Sequence, residues 1–200
     1  MKIIYSTLKS ARMLPFILLF YGLLVSSFAN SGPFGTYAGM ALEEFSNSRH
    51  AHDYWYIVDV PSPHPGLTRY EALVGKSTGL CYLNALSNVV KYSTYGTQLR
   101  KDTDLWRDRL TSKYGPPDIV RNSLSGAKYL EGGEYWMYTL MEGNRTYAYL
   151  WTNNLPPEMK TIYVGATAKT QTKGGVVLQY QMSNYLACED EVSNYGVDNL

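Results

Sequence analysis

Cysteine is nearly absent: the 200 residues carry two, Cys81 and Cys188, and no CxxC spacing. That argues against a reactive or metal-binding thiol pair and leaves a single disulfide as the expected use of both, given an oxidising compartment. A basic surplus is missing too, with 18 Lys and Arg against 17 Asp and Glu. A nucleic-acid binder needs such a surplus to displace counterions from phosphates, so no nucleic-acid partner is expected. After Ala29 no apolar run approaches spanning length, so no stable membrane insertion is expected once the N-terminal segment is removed. Histidine is limited to His50, His52 and His64.

The segment 1–29 reads as a secretory signal peptide. Lys2, Lys9 and Arg12 precede an apolar run from Met13 to Val25, and Ser27-Phe28-Ala29 places small residues three and one before the expected cut. That run falls short of the roughly 20 residues that a spanning helix needs. The expected location is therefore periplasmic or secreted, and the lack of a cysteine near the cut excludes a lipid anchor. Cleavage would remove Lys2, Lys9 and Arg12 but no acid, which leaves a slight acidic surplus over 30–200. A Cys81–Cys188 bridge would close a loop worth on the order of 4 kcal/mol in the chain-entropy account and pin the C-terminal segment to the first half. The other abundance is aromatic: 17 of 19 tyrosines and all four tryptophans follow the leader.

Hydrophobic periodicity predicts a short helix over 39–45 and strands over 53–60, 70–75 and 79–86, with Lys76-Ser77-Thr78 as a hairpin turn. In the third strand Leu80, Tyr82 and Leu86 would share one face, and Cys81, Leu83 and Ala85 the other. The strongest helix signal covers 98–114, with Leu99, Trp106, Leu110 and Tyr114 on one stripe and Gly115-Pro116-Pro117 as its stop. A polar loop is expected over 118–133. Strands are then expected over 135–140, 146–151, 161–168 and 176–182, separated by turn-forming residues. Ala148, Leu150, Ile162, Val164, Leu178 and Tyr180 would form the core face of the last three, leaving Tyr147, Tyr149, Trp151 and Tyr163 on the opposite face.

The predicted class is α+β: two helix-plus-antiparallel-meander units, 30–96 and 97–188, packed as two layers and able to share one continuous sheet. A flexible acidic tail, 189–200, would follow.

Two short motifs carry a resemblance. Gly39-Met40-Ala41-Leu42-Glu43-Glu44-Phe45 is similar to the G-M-[ST]-x-E-[EQ]-V helix start of the small lipoprotein family of the outer-membrane assembly machinery. Lys113-Tyr114-Gly115-Pro116-Pro117 is similar to the L-G-x-P that closes its helical part. The chain departs from that pattern at Ala41 and Phe45 and lacks the lipoprotein cysteine. Tandem units of this layout resemble the fold of the β-lactamase inhibitor protein, which holds its target on a sheet. The resemblance implies an envelope protein that works by binding another protein.

Several constellations could carry chemistry. His50-Ala51-His52-Asp53 places two imidazoles beside a carboxylate, with His64 as a further candidate metal ligand, but the flanks complete no metallohydrolase pattern. Gly75-Lys76-Ser77-Thr78 matches the end of a phosphate-binding loop, but Tyr70 stands where its first glycine is required. Ser125-Gly126-Ala127-Lys128 matches SxxK without a KTG or SDN partner. Asp53, Asp59, Glu131, Glu134 and Glu142 are carboxylates from which a glycosidase pair would have to come. The preferred expectation is a non-enzymatic protein-binding module of inhibitor, immunity or envelope-assembly type, with Tyr147, Tyr149, Trp151 and Tyr163 as binding residues and no cofactor. The alternative is an envelope glycan or cell-wall hydrolase, and a third option is carbohydrate stacking on the aromatics.

Overall fold

The computed structural model describes residues 32–126 and 132–194. The expected leader, Lys128 of the SxxK match, Glu131 and the end of the tail, 195–200, lie outside the described residues.

Two 3-10 turns, Pro33–Gly35 and Leu42–Glu44, precede β1 (Ser48–His52), β2 (Trp55–Val58), β3 (Arg69–Gly75), β4 (Gly79–Leu86) and β5 (Val90–Lys91). Helix α1 (Thr97–Tyr114) is followed by β6 (Ile119–Leu124), α2 (Trp136–Met141), β7 (Arg145–Trp151), β8 (Met159–Thr170), β9 (Lys173–Met182) and α3 (Tyr185–Asn194). The nine strands form one sheet in the order β1-β2-β3-β4-β9-β8-β7-β6, with β5 beside β9, and every pairing is antiparallel. The molecule is α+β. Among the described residues no helix is long and apolar enough to cross a membrane.

Helix α1 forms as its periodicity predicts, burying Leu99, Thr103, Trp106 and Leu110. It ends where Gly115 takes φ 81° and its N–H bonds Thr111 O at 2.9 Å, a left-handed exit that glycine adopts without cost. Helices α1 and α2 pack on β7, β8 and, for α1, β9 as well, which makes one sheet face the main core.

Four predicted elements differ. The helix over 39–45 is only the turn Leu42–Glu44, because the Gly39 N–H is given to Leu80 O and the Met40 carbonyl receives the Leu80 N–H, both at 2.8 Å. Those groups act as a strand edge and cannot nucleate a helix. The predicted strand 135–140 is α2, whose buried Trp136, Met137 and Leu140 fall at helical spacing. The loop over 118–133 contains the edge strand β6, exposed along most of its length and so lacking the burial alternation that marks a strand. The strand over 53–60 is shortened to β2, and an unexpected strand, β1, precedes it and folds back onto it where Asp53 takes φ 46°. The tail is also corrected in part, since Glu189 to Asn194 belong to α3.

Asp118 ties the entry of β6 to the β7–β8 loop. Its carboxylate accepts the Thr152 N–H at 2.6 Å, the Asn153 N–H at 2.9 Å and the Asn153 side-chain amide at 2.9 Å. The Thr152 amide first, then the two Asn153 groups, hold this carboxyl down to about 2 against the opposing effect of burial. A folded value below the unfolded one means the tie is at full strength above the ordinary aspartate range and is lost as pH falls towards 2. Carboxyl NMR should give a midpoint near 2 for Asp118, with faster amide exchange at Thr152 and Asn153 below it. A midpoint near the ordinary value of about 3.9 would refute the tie.

Candidate functional site: the open sheet face

The two faces of the sheet are covered unequally. Directly paired residues share a face, so the pairings sort the side chains without ambiguity. Val164, Tyr149 and Leu178 lie on the helix side, as do Ile162, Trp151 and Tyr180. The opposite face carries a row running Ile57, Glu71, Asn84, Gln179, Tyr163, Leu150 and Ile119 across seven strands. Each of these except Ile119 is half-buried, and Ile119 is exposed.

Among the described residues α3 is the helix that packs on this second face, and it does so over β3 and β4. Beside it lies an aromatic ladder. Trp55 meets Tyr82 edge-on at 5.8 Å between centroids, and Tyr82 meets Tyr185 of α3 at 5.7 Å. Tyr82 is pushed up to about 12 by burial first and then by Tyr185 and Tyr163, so its phenol stays neutral. Tyr163 lies down on the sheet over Gly165, where an added Cβ would run into the Tyr163 ring and hydroxyl. Glycine is needed there by the close approach of the ring.

A β-bulge decides how α3 attaches. Leu73 pairs with Tyr82 and Val74 with Leu80, which leaves Cys81 unpaired between them. The extra residue re-aims the strand, so Cys81 joins Leu73 and Tyr82 on the open face while Leu80, Leu83 and Ala85 stay in the main core. The expected sharing of a face by Cys81, Leu83 and Ala85 is therefore corrected. The disulfide itself is present, joining Cys81 to Cys188 of α3 across 107 residues. Glu191 adds a second anchor, accepting the Ser77 N–H at 2.9 Å, the Thr78 N–H at 3.1 Å and the Thr78 hydroxyl at 2.8 Å. Burial alone would raise this carboxyl, but the hydrogen bonds outweigh it and hold it below the ordinary range. The amides of the sequence that resembles a phosphate loop thus hold an internal carboxylate.

The four aromatics expected on one surface are separated. Trp151 is 0% exposed and Tyr149 5%. Tyr147 is half-buried, packed against the same core. The Tyr147 and Tyr149 hydroxyls donate to Asp104 of α1 at 2.8 and 2.6 Å, and the Arg107 guanidinium donates to the Tyr149 oxygen at 3.1 Å. Trp151 donates its indole N–H to Gly115 O at 2.8 Å. Of the four, Tyr163 alone lies on the open face. Leu150, expected in the core, lies beside it. Sequence reasoning missed Trp55 and Tyr185, and it grouped Tyr82 with no other aromatic. The available signal was strand parity, since Trp55 is followed by Tyr56, which packs on the main core, so the two rings must face opposite ways.

No family model, curated protein or solved structure matches this chain.

The remaining candidates stay apart. His50 bonds the Asp53 carbonyl at 2.8 Å and His52 lies 3.3 Å from the Asp53 carboxylate, both on exposed β1. His64 instead packs its ring 4.7 Å from Trp106 of α1. Among the described residues no group of three His, Cys, Asp or Glu side chains is placed to hold a metal. Asp53, Asp59, Glu134 and Glu142 are all exposed.

Proposed function

We propose that this chain is a non-enzymatic binding protein of the periplasm or the cell exterior, and that its open sheet face docks another envelope or secreted protein. The observation that carries this is the uncovered face itself. Half-buried Trp55, Tyr82, Tyr163 and Leu150 stand there on hydrogen-bonded strands, with no helix over them beyond α3 among the described residues. Rigid aromatic rings on a preformed sheet supply large contact area while losing little side-chain entropy, which is the make-up of interface hot spots.

The disulfide suits an oxidising compartment, in keeping with residues 1–29 acting as a leader. We take the strands before α1 and those after it as two meander units that meet at β4 and β9, with the role of inhibitor, immunity or envelope-assembly factor. The likeness of layout to the assembly lipoproteins and the β-lactamase inhibitor fold supports that role by analogy only. The hydrolase alternative has no observation in its favour, since His50 and His52 gain no third ligand among the described residues.

A photo-cross-linking amino acid at position 163 tests the docking face. It should yield one discrete protein adduct in the native envelope, and Tyr82→Ala should reduce that adduct by about tenfold, as expected for loss of a hot-spot aromatic. The same group at Leu105, exposed on α1, should not form the adduct. An adduct from position 105 alone, or none from 163, would refute the assignment.

A further inference from the structure

A separate pocket lies on the helix side of the sheet. The proline-rich segment Pro61, Pro63 and Pro65 is stiffened by its fixed φ angles. Its Ser62–Pro65 stretch, Pro33–Gly35 and the C-terminal half of α1 line an open cleft of about 510 Å³. That volume lies in the range of small-molecule sites.

Its polar groups share one character. Arg109 and Lys113, one helical turn apart, line it, and neither has a carboxylate partner among the described residues. The Arg109 guanidinium rests 4.7 Å above the Trp106 ring, and Lys113 Nζ lies 5.0 Å from the Tyr114 ring. Such cation–π contacts place a positive charge without neutralising it. His64 accepts the Gly66 N–H at Nδ1, at 2.9 Å, so its neutral tautomer carries the proton on Nε2. Burial first, and then Arg109, lower its pKa and favour that neutral form. Tyr180 is 3% exposed and lines the pocket. Two cations and two neutral donors meet here against apolar walls of Phe34, Trp106 and Leu110, with no acid among the lining residues.

We propose that this pocket binds a small carboxylic acid with an apolar body, its carboxylate held by Arg109 and Lys113 with the Tyr180 hydroxyl as a further donor. The apolar part packs against Phe34 and Trp106. This site is independent of the docking face.

Isothermal titration calorimetry with 4-phenylbutyrate and with uncharged 4-phenyl-1-butanol tests it on the purified protein. The acid should bind one to one and about a hundredfold more tightly than the alcohol, the scale of two charge-assisted hydrogen bonds. Arg109→Gln and Lys113→Gln should each weaken the acid by about tenfold and leave the alcohol unchanged. Both side chains are exposed on a helix, so these variants keep the fold. Tyr180→Phe, which keeps the ring, should weaken the acid by roughly threefold or more. Equal binding of acid and alcohol, no heat from the acid at millimolar concentration, or full acid affinity in Arg109→Gln would overturn the proposal.

Discussion

Trp151→Ala is expected to destabilise the protein by about 3–5 kcal/mol, the usual cost of emptying a fully buried tryptophan site. Whole domains are stable by only about 5–15 kcal/mol, so this variant should stand at the edge of unfolding at ambient temperature. The side chain fills the space where β7, β8 and the end of α1 meet, paired with Ile162 and bonded to Gly115 O. Alanine would leave both a cavity and an unpaired helix-terminal carbonyl. Trp151→Phe keeps most of the volume and should cost about 1–3 kcal/mol, the scale of one buried group left unsatisfied. Urea unfolding followed by far-UV circular dichroism measures both. Tyr163→Ala, on the open face, is the control and should cost less than either. If Trp151→Ala unfolded with a wild-type midpoint, Trp151 would not be a core residue and the sheet would be facing the wrong way.

Loss of the disulfide ranks second. Cys81→Ala with Cys188→Ala should lower stability by about 2–5 kcal/mol, since the bridge closes a long loop in the unfolded chain. The loss should also be uneven in space. Helix α3 would keep the Glu191 bonds to Ser77 and Thr78 and the Asn184 amide bond to Thr78 O, 2.7 Å long. Its amides should therefore exchange faster than those of β8 yet stay more protected than a random coil, readable by hydrogen exchange. Alkylation of the native, non-reduced protein checks the premise, because two labelled thiols would remove the bridge from the structure.

The sites these variants probe are unequally legible in the sequence. Helix α1, β4, β8 and β9 can be found because each carries one period over enough residues, and each is bounded by glycine, proline or turn-forming groups. Strand β7 is legible as a strand over 146–151, but its facing is not. Tyr147, Tyr149 and Trp151 occupy one parity and Ala148 and Leu150 the other, so both faces are apolar and alternation cannot choose between them. What chooses is volume: α1 stands off the sheet, and large rings that reach Asp104 and Gly115 fill the gap. The facing of Cys81 escapes for a different reason, since a one-residue bulge reverses parity locally and leaves no trace in composition. The segment 136–141 is too short for period alone to separate helix from strand.

From residue order alone follow the α+β class, the sided character of β8 and β9, the extent of α1 and the pairing of the only two cysteines. These rest on local periodicity, turn chemistry and counting, which need no knowledge of distant neighbours. Tertiary structure alone decided which aromatics are core and which face outward, where the disulfide emerges, and that Arg109, Lys113 and Tyr180 share one pocket with the distant loop of Pro63 and His64. Those outcomes depend on contacts between segments far apart in the chain, and a side chain's own period does not encode what will pack against it.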